Sequence, residues 1–228
     1  MPTIVFASPK GGVGKSTSAL LLSIVLAESG RTVALIDADP NRPAARWAKR
    51  PNRPATLEVL SDITEETVIT TIERAAATHY AVIVDLEGIA SMMVAYAISR
   101  ADLVIIPTQG SQLDATEAVK AIRLVRKQEE AFRLSIPAAI LFTRTSAAIR
   151  PRSLQSIEAE FAQNGVPVFE TQVIERDAYR ALFSFGGTLR TLDPSAVRNI
   201  GPAIANAEAF TAEVMAHVAG RGQGRAVA

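Results

Sequence analysis

At 228 residues, with 48% hydrophobic and 21% charged residues, the chain has the balance of a globular protein with a well-buried core, which excludes a disordered or fibrous one. The absence of cysteine excludes disulfides, thiolate metal sites, iron–sulfur clusters and cysteine nucleophiles together. Formal net charge is only +1, but 19 of the 24 basic residues are arginine, the side chain suited to bidentate phosphate contacts.

The first apolar run, Ile4-Val5-Phe6-Ala7, reads as the end of a strand over Thr3–Ala7. It leads straight into Lys10-Gly-Gly-Val-Gly-Lys15-Ser16-Thr17 and then into a helix over Lys15–Ser29. Strand, Gly-rich turn, Lys-Ser and helix in that order make a phosphate-binding loop. In such a loop the backbone N–H groups of Gly11, Gly12, Val13, Gly14, Lys15, Ser16 and Thr17 turn toward phosphate oxygens at a helix N-terminus. Lys15 is placed to reach the β- and γ-phosphates and Ser16 to ligate Mg²⁺. Pro9 stands where the general pattern has its first glycine, and Lys10 is a second lysine that the general pattern does not require. The opening segment has no signal-peptide core, and the longest apolar helical stretch, Ala19–Ala27, is too short to span a bilayer, so a cytoplasmic location is expected.

Further along, short β-branched runs alternate with segments of helical periodicity, the pattern of an α/β fold with a doubly wound, mostly parallel sheet of seven to eight strands and helices on both faces. The remaining strands are expected at Thr32–Asp37, Leu57–Leu60, Ala81–Asp85, Leu103–Pro107, Ala138–Thr143 and Val168–Thr171. Helices are expected at Arg42–Lys49, Glu65–Ala77, Ser91–Arg100, Ala115–Phe132, Pro151–Asn164, Arg176–Phe183 and Pro194–Val218. One domain is expected over residues 1–219, followed by a Gly-rich flexible tail over residues 220–228.

Three acids fall at strand ends. Asp37 and Asp39 emerge on alternate residues after the second strand, and Asp85 closes the strand before Leu86, the place for an acid that holds a Mg²⁺-bound water. Each acid on its own also fits a helix cap. Together with the loop they describe a nucleotide hydrolase.

The set Lys10-Gly-Gly-Val-Gly-Lys15-Ser16-Thr17, Asp37-Ala-Asp39-Pro40 and Ala101-Asp-Leu-Val-Ile-Ile-Pro107, with Leu113-Asp114 soon after, resembles the ParA/MinD group of deviant Walker A ATPases. Within that group it is most similar to small ParA-type proteins of plasmid partition and to VirC1-like proteins of conjugative DNA transfer. The resemblance implies ATP and Mg²⁺ as cofactors and a catalytic set of Lys10, Lys15 and Asp39. Lys10 reaches across an ATP-dependent homodimer to the partner's phosphates, Asp37 and Asp85 support the metal through water, and Asp39 orients the attacking water. Thr143, Arg144 and Gln172–Ile174 become neighbours of the adenine. The departures are Asn41 after the Asp-Pro pair and Leu86-Glu87-Gly88 after the strand, where Glu87 is expected in a salt bridge or in solvent.

The resemblance also implies a slow, partner-stimulated ATPase that binds DNA without sequence preference, joins the nucleoid when ATP-bound, and answers to an adaptor such as a ParB-like centromere-binding protein. Arg150, Arg152, Arg176, Arg180, Arg190 and Arg198 are the candidates for the DNA contacts. The other reading, a MinD-like regulator or a positioner of a protein cluster such as a chemotaxis array, would for its membrane form use Glu208–Val218 as an amphipathic anchor. That segment has apolar residues at helical spacing but no lysine or arginine, which suits core packing better than a lipid surface.

Overall fold

The computed structural model describes residues 1–88, 91–147 and 151–225, with side chains described as far as Gly220. Seven strands form one all-parallel sheet: β1 (Thr3–Phe6), β2 (Val33–Ala38), β3 (Leu57–Leu60), β4 (Ala81–Leu86), β5 (Leu103–Thr108), β6 (Ala138–Thr145) and β7 (Val173–Ile174). Their order across the sheet is β3-β2-β4-β1-β5-β6-β7. The helices are α1 (Lys15–Glu28), α2 (Pro43–Ala48), α3 (Val68–Thr78), α4 (Met92–Ile98), α5 (Gln112–Phe132), α6 (Arg152–Gln163), α7 (Asp177–Phe185) and α8 (Ile200–Arg225).

The near-continuous apolar strands are buried on both faces because helices cover both. Alternate residues of one strand serve different cores. Ile4 and Phe6 of β1 pack with α1, α2, α7 and α8, whereas Val5 and Ala7 pack with α3, α4, α5 and α6. The strand order reverses beside β1, which puts the β1–α1 loop at the switch point where such sheets bind ligands.

The expected strand at Val168–Thr171 is a correction. Val168 makes one isolated bridge to Ile140, and the seventh strand forms instead at Val173–Ile174. The cause lies in α8: the Glu213 carboxylate accepts the N–H groups of Glu170 (2.7 Å) and Thr171 (2.8 Å). The expected helix start at Pro194 is another correction. Asp193 accepts hydrogen bonds from the Ser195 N–H and hydroxyl, and Asn199 at φ 57° turns the chain before α8 begins at Ile200. The backbone of α8 then continues to Arg225, through the segment expected as a tail; each added residue extends an existing ladder and needs no new nucleus.

The corner after α7 is tightly made. Gly186 (φ 82°) and Gly187 (φ 67°) adopt left-handed backbone that favours glycine. A Cβ on Gly186 would lie 2.3 Å from the Cβ of Arg50, just after α2. The buried Trp47 of α2 donates its indole N–H to the Gly187 carbonyl at 3.1 Å.

Candidate functional site

The β1–α1 loop closes on Gly14, which stands at the N-cap of α1 with φ 90° and offers no side chain to the first turn. Gly12 is also left-handed, at φ 74°. A glycine at each point lets the loop fold back over the helix N-terminus without a Cβ penalty. Val13 is the buried anchor between them. Its carbonyl accepts the Thr143 hydroxyl at 2.5 Å, and that hydroxyl also lies 3.1 Å from the Thr108 carbonyl. Thr143, expected beside an adenine, lines the cavity and also props the loop from beneath.

Arg144 sits in a bulge of β6 at φ 54°, which turns its guanidinium toward the loop rather than along the strand. It donates to the Gly12 carbonyl at 3.2 Å and to Glu175 at 3.0 Å. Lys15 is buried, and its Nζ donates to the Lys10 carbonyl at 3.2 Å. Burial lowers its pKa, against the opposing pull of Asp85, Asp39 and Glu87.

Facing Lys15, β2 and β4 pair in register so that Asp37 lies beside Asp85. Asp37 accepts the Ala45 N–H at 2.8 Å and the Asp39 N–H at 3.4 Å, so part of its role is the capping contact that the sequence left open. Burial still raises its pKa, more than these amides lower it. Asp39 accepts the Asn41 N–H at 2.7 Å in the turn that leads to α2.

Asp85 is fully buried, and neither carboxylate oxygen has a hydrogen-bond partner of ordinary geometry. Burial pushes its pKa up to about 7; the Ser16 hydroxyl lowers it, Asp37 and Asp39 raise it further, and Lys15 lowers it. An orphaned buried carboxylate near a helix-terminal serine suits a hydrated divalent cation. Among the described residues no cluster of three or more His, Cys, Asp or Glu could hold a metal. Ser16 and Asp85 thus fit a cation such as Mg²⁺, whose other ligands would be water and phosphate oxygens.

The second lysine is bound at home. Lys10 Nζ forms an ion pair with Asp114 in the first turn of α5, and Asp114 also accepts the Ser111 hydroxyl at 2.6 Å. Burial works to raise the Asp114 pKa, but the hydrogen bonds from Lys10 and Ser111 outweigh it and leave the carboxyl below its ordinary value. Lys10 remains 48% exposed while Asp114 is 3% exposed, so the lysine reaches an enclosed acid from the solvent side. Glu87, by contrast, is exposed, with no ion pair among the described residues, which matches the solvated arm of its expectation.

A cavity of about 830 Å³ runs from the loop past Glu87 and Arg144 to Ile174, Tyr179 and Phe183. That volume suits a nucleotide-sized ligand. The apolar wall formed by Tyr179 and Phe183 was not assigned from sequence; the helix Arg176–Phe183 was expected, but nothing in its periodicity marks which face lines a cavity. The wall is braced by α8. Asn206 accepts the Ile174 N–H at 3.0 Å and donates to the Gln172 carbonyl at 2.8 Å. The Tyr179 hydroxyl lies 3.0 Å from both the Ala203 carbonyl and Asn206, and burial pushes its pKa up to about 12.

Of the six arginines expected at a DNA face, the five among the described residues are spread over both sides of the sheet within one chain. Arg150 lies outside the described residues. Arg152 is exposed at the start of α6 on one side of the sheet, whereas Arg190 and Arg198 lie near α8 on the other. Arg176 lines the cavity, Arg180 pairs with Glu175 (2.8 Å) and Asp177 (2.5 Å), and Arg190 pairs with Glu208 and with Glu28. Two of the expected contacts, Arg180 and Arg190, are thus paired with carboxylates of the same chain, with both side chains more than half exposed. The apolar stripe of α8 is core: Phe210 and Val214 are fully buried, and Phe210 meets Phe169 edge to face. Among the described residues no helix is long and apolar enough to cross a membrane.

A family profile described as VirC1 protein matches residues 1–212. The Rhizobium radiobacter protein ParA is 45% identical over 210 residues, covering 92% of this chain and 94% of that one. The MinD cell division protein of Aquifex aeolicus superposes with a TM-score of 0.72 at 19% identity, covering 95% of this chain and 97% of the other. A variant of Cyanothece McdA in complex with ATP superposes with a TM-score of 0.71 at 17% identity, covering 94% and 96%. At these identities the two structures speak for the fold.

Proposed function

Because the chain belongs to the VirC1 family of ParA-type deviant Walker ATPases, we propose that it positions or segregates DNA through an ATP-gated cycle of dimerisation and slow hydrolysis. The observation that carries this reading is the buried, unpartnered Asp85 carboxylate beneath Ser16 and Lys15, both of which line the 830 Å³ cavity. The ATP complex of the structurally similar McdA supports the same ligand here.

In the cycle, ATP lies along the cavity with its phosphates in the β1–α1 loop. Lys15 leaves the Lys10 carbonyl and contacts the β- and γ-phosphates. Ser16 and Asp85 would hold Mg²⁺, and the ion would supply positive charge at the phosphate oxygens. Asp37 supports the Asp85 side, and Asp39 orients the attacking water. Arg144 holds the loop against Glu175, and Ile174, Tyr179 and Phe183 flank the base. Phosphoryl transfer needs little beyond such positioning and charge neutralisation.

Lys10 leaves Asp114 and crosses to the phosphates of a second copy, so that ATP becomes part of the dimer interface. Leu113, beside Asp114 and 80% exposed, supports a face meant to be covered. The ATP dimer holds DNA without sequence preference, and a separate adaptor protein stimulates hydrolysis and releases it. A membrane anchor finds no support, since the apolar face of α8 already packs on the core.

The test is Lys10→Ala. ATP binding should persist while ATP-dependent dimerisation, measured by sedimentation, and hydrolysis are lost. An unaffected dimer and ATPase would overturn the interface role.

A further inference from the structure

Between Asp39 and Glu58 the chain carries Arg42, Arg46, Lys49, Arg50 and Arg53 and no acid. All five are exposed, on α2 and the turn that leads to β3, the edge strand of the sheet. Arg42 is neutralised by Asp62 at 2.7 Å, and Arg53 donates to the Leu57 carbonyl at 3.0 Å while keeping its charge. Arg46, Lys49 and Arg50 have no ion-pair partner among the described residues. They differ in this from Arg180 and Arg190, whose charges are spent inside the chain.

We propose that Arg46, Lys49, Arg50 and Arg53 form the surface that grips the phosphate backbone of duplex DNA. The inference rests on the DNA reading above and relocates the contact to the β3 edge of the sheet. Three observations favour this occupant. Three of the four cations are arginine, whose planar fork matches a phosphate. The apolar residues of the segment, Ala44, Trp47 and Leu57, are buried, so it offers a lipid surface nothing to insert. Trp47 is its only aromatic residue and gives unpaired bases no stacking platform.

The placement also ties the surface to the nucleotide site. The Ala45 N–H, one residue before Arg46, donates to Asp37, whose strand neighbour is the orphaned Asp85. On its other side the segment is fixed by the Trp47 bond to Gly187. The cations therefore stand on a rigid mount between the metal-side acids and the α7 wall of the cavity.

The test uses the full chain with ATP and Mg²⁺ and a duplex of random sequence, with anisotropy followed from about 50 to 200 mM salt. The variant is Arg46→Gln/Lys49→Gln/Arg50→Gln, with Arg152→Gln/Arg198→Gln as the comparison. Removing three phosphate contacts should flatten the slope of log K against log salt by about 2.7 for each protomer in contact with the duplex, and each single Gln variant by about 0.9 per protomer. The comparison variant should keep the parental slope. Binding of a fluorescent ATP analogue should be unchanged in the triple variant. If the triple variant keeps the parental slope, or only the comparison loses it, the surface is wrong while the DNA reading stands. If the ATP-loaded parent retains no duplex even at low salt, the DNA reading itself falls. Equal retention by anionic vesicles, lost in the same triple variant, would reassign the surface to lipid and overturn the proposal.

Discussion

Lys10 and Asp114, 104 positions apart, form an ion pair within one chain in which the carboxylate is buried and the ammonium is half exposed. For Lys10 to cross to a second copy, as proposed, this pair must open. Replacing Asp114 by Asn, which keeps an acceptor for Ser111 but removes the charge, should release the arm. ATP-dependent dimerisation should tighten several-fold, at a stability loss of about 1 kcal/mol. Sedimentation at several protein concentrations reads the first effect, and a weaker dimer would count against Lys10 as the crossing residue.

Asp85 sets a pH dependence in nucleotide-free protein. Its folded-state pKa of about 7 lies above the ordinary aspartate value of 3.8, so between those values the folded state binds more protons than the unfolded one. Stability should therefore fall as pH rises from about 4 through 7, by up to about 4 kcal/mol from this group. Asp85→Asn removes the charge, so its stability advantage over the parent should grow across that window in urea melts at pH 5 and pH 8. A constant gap would show that Asp85 is ionised at both.

Thr143 supports the phosphate loop from below. Thr143→Val keeps the shape but leaves the Val13 carbonyl without its donor, at a cost of about 1–3 kcal/mol. Nucleotide affinity should fall with stability, and titration of a fluorescent analogue alongside thermal melts checks both. Full affinity in a destabilised variant would mean that loop shape does not depend on the prop.

Asn206 tests the brace on the base wall. Asn206→Ala removes the acceptor of the Ile174 N–H and the donor to the Gln172 carbonyl. ATP and ADP should lose affinity by similar factors, because the base rather than the γ-phosphate is affected. A selective loss of ATP would point to the phosphate end instead.

Much of this was legible because it is local. The run Ile4 to Ala7, the glycines at positions 12 and 14, and Lys15-Ser16 specify strand, turn and helix with little help from elsewhere. Asp37 and Asp85 could be placed at strand ends, and the pairing of β2 with β4 then put them side by side. What escaped depends on partners far along the chain. The interruption at Glu170 and Thr171 is caused by Glu213, on a helix some forty residues later. Arg190 reads as a free charge in a linear sequence because Glu28 and Glu208 are assigned to it only by folding, whereas Glu175 and Asp177 stand close to Arg180 in the chain. The cavity wall at Tyr179 and Phe183 requires knowing which side of α7 meets the core.

The corner at Gly186 and Gly187 has a mechanical meaning. No side chain fits between it and Arg50 or Thr191, and Trp47 pins it from below. The helix that flanks the base and the helix that carries the unpaired cations are thus hinged at one incompressible joint. Enlarging either glycine should therefore loosen the seat of α2 against the end of α7 while sparing the phosphate loop.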